Sequence, residues 1–281
     1  RPAANLQAAS IQMMTLFYNH RFRDVLSLFG EYKRLSESPP VREWLTLIDL
    51  ARGNAYLHLG DLDNAWNLIQ QAYLREESHP YEKLIDSTLE CKGDLFRMLG
   101  DDDKAMDFYQ QAIDNGGKDP PAVEARLKKG LLLLHLGNPG KGMSSIDECI
   151  ALSEEQGFIS IGLEARLIHL LFQTKPLDAE LLESEAFELV AEMKERGLMT
   201  ANFYHWYIPA FFALERKENG KALELFQQMS AHFQKEPDVW AELHALRNIL
   251  HLAAPKSGVY NAARARMMAI LEVMGKHATV T

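Results

Sequence analysis

Apolar residues recur along this chain at intervals of three and four, the spacing that lines one face of an α-helix. Trp44, Leu45, Ile48, Tyr56 and Leu59 form one such stripe, and Ala65, Leu68, Ile69 and Ala72 form the next. No segment sustains the two-residue alternation of a strand. Turn signals separate the stripes. Gly60 ends a helix, and Asp61 or Asp63 opens the following one. Ser38-Pro39-Pro40, Ser78-His79-Pro80, Asn115-Gly116-Gly117 with Pro120-Pro121, Thr174-Lys175-Pro176, Glu236-Pro237 and Pro255-Lys256-Ser257-Gly258 all fall between predicted helices.

The pattern repeats. From Gly53 and from Gly93 the sequence reads the same way: an aromatic three residues on (Tyr56, Phe96), Gly seven on (Gly60, Gly100), Ala twelve on (Ala65, Ala105), an apolar residue sixteen on (Ile69, Tyr109) and Ala nineteen on (Ala72, Ala112). A third copy begins at Gly130, with Leu133, Gly137, Gly142, Ile146 and Cys149 in the same slots. Weaker copies are phased on Met13 (Leu16, Val25, Phe29, Tyr32), on Ala210 (Ala213, Ala222, Phe226, Met229) and on His251, with the most degenerate near Leu170. The phases 13, 53, 93, 130, 170, 210 and 251 predict seven two-helix repeats, over approximately 1–38, 39–79, 80–117, 118–157, 158–198, 199–236 and 237–281. One helix pair cannot bury its own apolar face, so neighbouring pairs are expected to stack around a continuous core.

The signature Gly, aromatic, Ala, apolar, Ala resembles the tetratricopeptide repeat (TPR) pattern. The likeness is strong over about residues 45–150 and weaker elsewhere. The chain departs from the family in its longer period (about 34 residues in the family), in lacking Trp at the first slot, and in its irregular closing proline. Long-period arrays of this kind resemble the sensor segments of bacterial signalling and transcription regulators. The resemblance implies an all-α fold, a right-handed α-solenoid of about seven antiparallel helix pairs, forming a single domain over 1–281.

The resemblance also implies that the first helix of each pair lines a concave groove. Its groove slots would be Leu47, Leu50, Asn54 and Leu57 or His58 in the second repeat. In the third they would be Ser87, Glu90, Asp94 and Arg97 or Met98, and in the fourth Glu124, Leu127, Leu131 and Leu134 or His135. Chaperone-adaptor TPR domains clamp a terminal carboxylate with Lys, Asn and Arg in these slots. Only Asn54 fits that arrangement here, and Glu90 and Asp94 carry the opposite charge. A basic or amine-bearing peptide would suit these carboxylates better. The alternative is that they are solvated or paired with Arg97 one turn away.

A second candidate surface is Phe203-Tyr204-His205-Trp206-Tyr207 with Phe211 and Phe212, in which seven of ten positions are aromatic or His. Tyr204, Tyr207 and Phe211 share a helical stripe expected to face the groove, leaving Phe203, Trp206 and Phe212 for the core. Aromatic rings with wet polar ends are good anchors for ligands. A stiff core against the degenerate repeat is the other reading. Pro209 would kink or start this helix.

Charge narrows the partner. Thirty Lys and Arg stand against 39 Asp and Glu, a formal net charge of −9. An acidic surface without a basic stripe repels phosphate backbones, so direct nucleic-acid binding is not expected. The longest apolar run falls far short of the ~18 residues of a membrane helix. Asp101-Asp102-Asp103 reads as favourable charge in the first turn of a helix. Cys91 and Cys149 lack zinc-ligand spacing and read as buried small hydrophobes. Such sparse cysteine suits a reducing cytoplasm, the expected location.

No catalytic constellation emerges. Gly137-Asn138-Pro139-Gly140-Lys141-Gly142 fails the phosphate-loop spacing, because Gly142 follows Lys141 where Ser or Thr is needed. His244 and His251 share a helix without a carboxylate partner. We therefore expect no enzyme activity, no cofactor and no metal. The expected role is a binding module that captures a peptide, protein or small ligand in its groove, as the sensor of a multidomain signalling or transcription-regulatory protein. A static assembly scaffold is the alternative, and an all-α enzyme a more distant one. The sequence begins and ends abruptly, at Arg1 and Thr281, as a fragment would. Its terminal helix pairs offer surfaces for self-association.

Overall fold

The computed structural model describes residues 2–18, 21–36, 42–78, 84–173, 179–198 and 200–277. The turn signals at 38–40, 79–80 and 174–176 lie outside these residues, and so does the side chain of Tyr32. Among the described residues the chain is all-α, with fourteen helices and no strand. In chain order they are α1 (Pro2–Tyr18), α2 (Phe22–Ser36), α3 (Arg42–Leu59), α4 (Leu62–Glu77), α5 (Ile85–Met98), α6 (Asp102–Gly116) and α7 (Pro120–His135). They continue with α8 (Pro139–Gln156), α9 (Ile159–Phe172), α10 (Ala179–Glu195), α11 (Thr200–Glu215), α12 (Asn219–Lys235), α13 (Val239–Leu252) and α14 (Gly258–His277).

The chain packs as two compact units. One comprises Arg1–Leu57 and Asn64–Lys175, the other His58–Asp63 and Pro176–Thr281. In the first unit α5, α6, α7, α8 and α9 pack each on the next. The first helices of successive pairs also touch, α5 on α7 and α7 on α9. That double contact is the local geometry of stacked helix pairs. In the second unit α10 to α14 likewise pack each on the next.

The repeat signature has a direct physical reading in this packing. A Cβ on Gly53 would lie 2.7 Å from Ile69 Cγ1, one on Gly93 2.3 Å from Tyr109 Cε1, and one on Gly130 2.8 Å from Ile146 Cγ1. Each signature glycine thus meets the apolar residue sixteen positions later, and its bare Cα lets the two helices of a pair close together. The small residues Ala65, Ala72, Ala105, Ala112, Gly142 and Cys149 are all buried on the facing helices. Around them Leu89, Phe96, Tyr109, Ala125 and Leu132 form one core cluster. Burying each large side chain contributes about 1.5–3 kcal/mol.

The turns follow the same register. Gly60, Gly100 and Gly137, seven residues after the signature glycines, adopt φ of 81°, 78° and 77°. These are left-handed positions that close a helix and favour glycine. Lys217, seven after Ala210, holds the same conformation at φ 60° without a glycine. Asp101 caps α6, its Oδ1 accepting the Lys104 backbone N–H at 3.1 Å, and Asp102 and Asp103 occupy the first turn. The acidic triplet is therefore a helix start. Both cysteines are buried free thiols.

Candidate functional site

Glu90 and Asp94 stand four residues apart on α5, so their side chains share one face. Glu124 and Lys128 do the same on α7. Because α5 packs on α7, the two faces meet, and Lys128 reaches all three carboxylates. Its Nζ is paired with Glu90, lies 2.5 Å from Asp94 Oδ2 and 3.2 Å from Glu124 Oε1. The Tyr109 hydroxyl on α6 donates to Asp94 Oδ1 at 2.7 Å. Behind Glu90, the Cys91 thiol sits 3.8 Å from Glu90 Oε2. Asn54 on α3 donates its Nδ2 to Cys91 Sγ at 3.1 Å. Among the described residues the buried Asn54 Oδ1 has no hydrogen-bond partner.

This cluster places three carboxylates around one ammonium. Burial pushes the Glu90 carboxyl up to about 8, with Glu124 and Asp94 adding to the shift and Lys128 opposing it. Burial by itself would lower the Lys128 ammonium. The negative charge of Asp94, Glu124 and Glu90 outweighs that and holds Lys128 well above its ordinary value. Burial thus favours the protonated form of Glu90, while the acidic neighbours favour the charged form of Lys128. Burial likewise holds the Tyr109 hydroxyl and the Cys91 thiol in their neutral forms.

Glu90 and Asp94 are thus brought together, but as parts of an interhelical joint. Lys128 on the next pair is a partner of both. Arg97 occupies the last turn of α5. Glu90 is 8% exposed, and the groove slots Leu50, Leu57 and Leu127 are 2–3% exposed. The rim stays open: the Glu124 side chain is 36% exposed and those of Lys128 and Asp94 about 20%. His58 belongs to the second unit, with Nδ1 3.3 Å from an Asp238 carboxylate oxygen. The sequence reading missed Lys128, although Glu124 and Lys128 at i and i+4 were a visible signal.

The aromatic segment forms α11, which runs unbroken through Pro209. Its faces differ from the expected ones. Tyr204 is buried, at 7% exposure, and belongs to the core with Phe212. Phe203 takes its place beside Tyr207, the two rings stacked 5.3 Å apart. His244 of α13 packs edge-on against both, at 5.6 and 5.0 Å. Phe211 lies 5.8 Å from Tyr207. The half-buried row is therefore Phe203, Tyr207, Phe211 and His244. Burial pushes the Tyr207 hydroxyl up to about 12. Trp206 faces the other way, between His205 and His232.

Among the described residues no group of three or more His, Cys, Asp or Glu is placed to hold a metal ion, and no helix is long and apolar enough to cross a membrane. No protein-family model and no curated protein matches the chain. Among solved structures, one similar fold is the C-terminal part of a TPR repeat-containing protein from Cytophaga hutchinsonii. It is 14% identical, with a TM-score of 0.39, over 90% of this chain and 98% of that one.

Proposed function

We propose that this chain is a non-enzymatic binding module of the long-period tetratricopeptide-like kind, whose first helices hold a basic peptide or protein segment. In this reading it is the regulatory part of a larger signalling or transcription-regulatory protein of the cytoplasm. The observation that carries the proposal is the charge on the adjoining faces of α5 and α7. Around Lys128, the carboxylates of Glu90, Asp94 and Glu124 outnumber the ammonium. Even with Glu90 protonated the cluster keeps one surplus negative charge, and its open rim carries Glu124 and Asp94. A lysine or arginine of a partner would compensate that charge. The whole chain, at −9, favours the same partner at long range. Taken by itself, the second unit carries an aromatic row of Phe203, Tyr207 and Phe211 suited to packing against apolar residues.

Fluorescence anisotropy with length-matched basic, neutral and acidic peptides tests this. Basic peptides should bind tightest, and more weakly as salt rises. Glu124→Gln should weaken that binding by about two- to fivefold, the effect of one rim charge of roughly 0.5–1 kcal/mol. Equal affinity for all three peptides would remove the basis of the proposal.

A further inference from the structure

The joint between the third and fourth helix pairs has more acid groups than its single base can neutralise, and the surplus sits where water is scarce. We infer that the α5–α7 joint is proton-responsive: a protonated Glu90 holds the two pairs together, and loss of that proton loosens them. Glu90 is the most enclosed of the three carboxylates, with its side chain 11% exposed against 20% for Asp94 and 36% for Glu124. Lys128 is shared among all of them, so it cannot satisfy three negative charges at once.

The groups facing Glu90 come from every packed element. From α3 the Asn54 amide reaches it through Cys91. On α5 itself stand Cys91 and Asp94. From α6 the Tyr109 hydroxyl is committed to Asp94. From α7 come Glu124, which repels an ionised Glu90, and Lys128, which attracts it. Tyr109 and Cys91 stay neutral across the physiological range, because burial raises both. Lys128 stays charged. Glu90 is accordingly the group that changes charge.

The sign follows from linkage. When the joint opens, Glu90 meets water and returns to its ordinary value near 4.5, whereas in the closed joint it sits at about 8. Between these values the open form has lost the proton that the closed form keeps. Raising pH therefore favours opening, and the effect levels off above the closed-state value. The closed joint is fully favoured below the ordinary glutamate value.

Hydrogen exchange on the full chain tests this without a partner, with protection corrected for the intrinsic pH dependence of amide exchange. From about pH 5 to about pH 8, protection of α5 and α7 amides in the wild type should fall by up to about tenfold per pH unit relative to Glu90→Gln. Amides of α13 should show no such difference. Parallel profiles for wild type and Glu90→Gln would overturn the inference. Glu124→Gln supplies an independent check should Glu90→Gln fold poorly. Removing that neighbouring negative charge should move the wild-type midpoint to lower pH, and an unmoved midpoint would also overturn the inference.

Discussion

At the scale of single residues, Lys128 decides how the polar face of α5 behaves. It was not among the residues that the sequence pointed to, whereas Glu90 and Asp94 were. Helical spacing reports which side chains share a face, but not which helix that face will meet. Lys128 lies 38 and 34 positions from Glu90 and Asp94, and no local pattern links them. Removing its ammonium would leave three carboxylates in a half-buried space. Lys128→Met should lower unfolding free energy by about 3–5 kcal/mol, as expected when one partner of a buried pair is lost. Glu124→Gln, at the open rim, should cost less than about 1 kcal/mol. Urea unfolding of the two variants makes the comparison. Equal, small losses would show that Lys128 is not the centre of the joint. His58 shows the same limit: its Asp238 neighbour is far away in sequence.

At the scale of the element, the repeat signature was legible because each slot has a strict packing task. The glycine at the head of each strong copy touches the residue sixteen positions on, and the glycine seven on supplies a left-handed turn. Those tasks yield different predictions for different glycines. In α5, Gly93→Ala forces a Cβ to 2.3 Å from the Tyr109 ring. Overpacking of this kind costs about 1–3 kcal/mol and outweighs the roughly 1 kcal/mol by which alanine favours a helix. In α8, a Cβ on Gly140 meets nothing within 4 Å, so Gly140→Ala should leave stability unchanged or raise it by up to about 1 kcal/mol. Thermal unfolding should shift to lower temperature for Gly93→Ala and stay level or rise for Gly140→Ala. The faces of α11 were harder to read. Nearly every position there is aromatic, so periodicity could not separate core from surface. The stripe through Phe203 and Tyr207 was as consistent with the spacing as the one through Tyr204, and His244 on α13 favours the former.

At the scale of the whole molecule, the all-α character and the fourteen helices of the described residues were legible in the apolar period and the turn signals. The grouping into two compact units, one of which includes the turn His58–Asp63, was not legible, since it depends on packing between residues far apart in the chain. Nor could the sequence tell an open groove from a covered one. Several slots assigned to a groove, including Leu50, Leu57 and Leu127, are interior. What remains for a partner is the charged rim of the first helices. The central claim is that this rim, rather than the outer row of second helices, holds a basic segment. The most direct measurement is a hydrogen-exchange or NMR footprint of a lysine- and arginine-rich peptide bound to the full chain. The account predicts new protection on α3, α5 and α7, centred on Glu124 and Asp94, that fades with added salt. Protection confined to α4, α6 and α8 would contradict it.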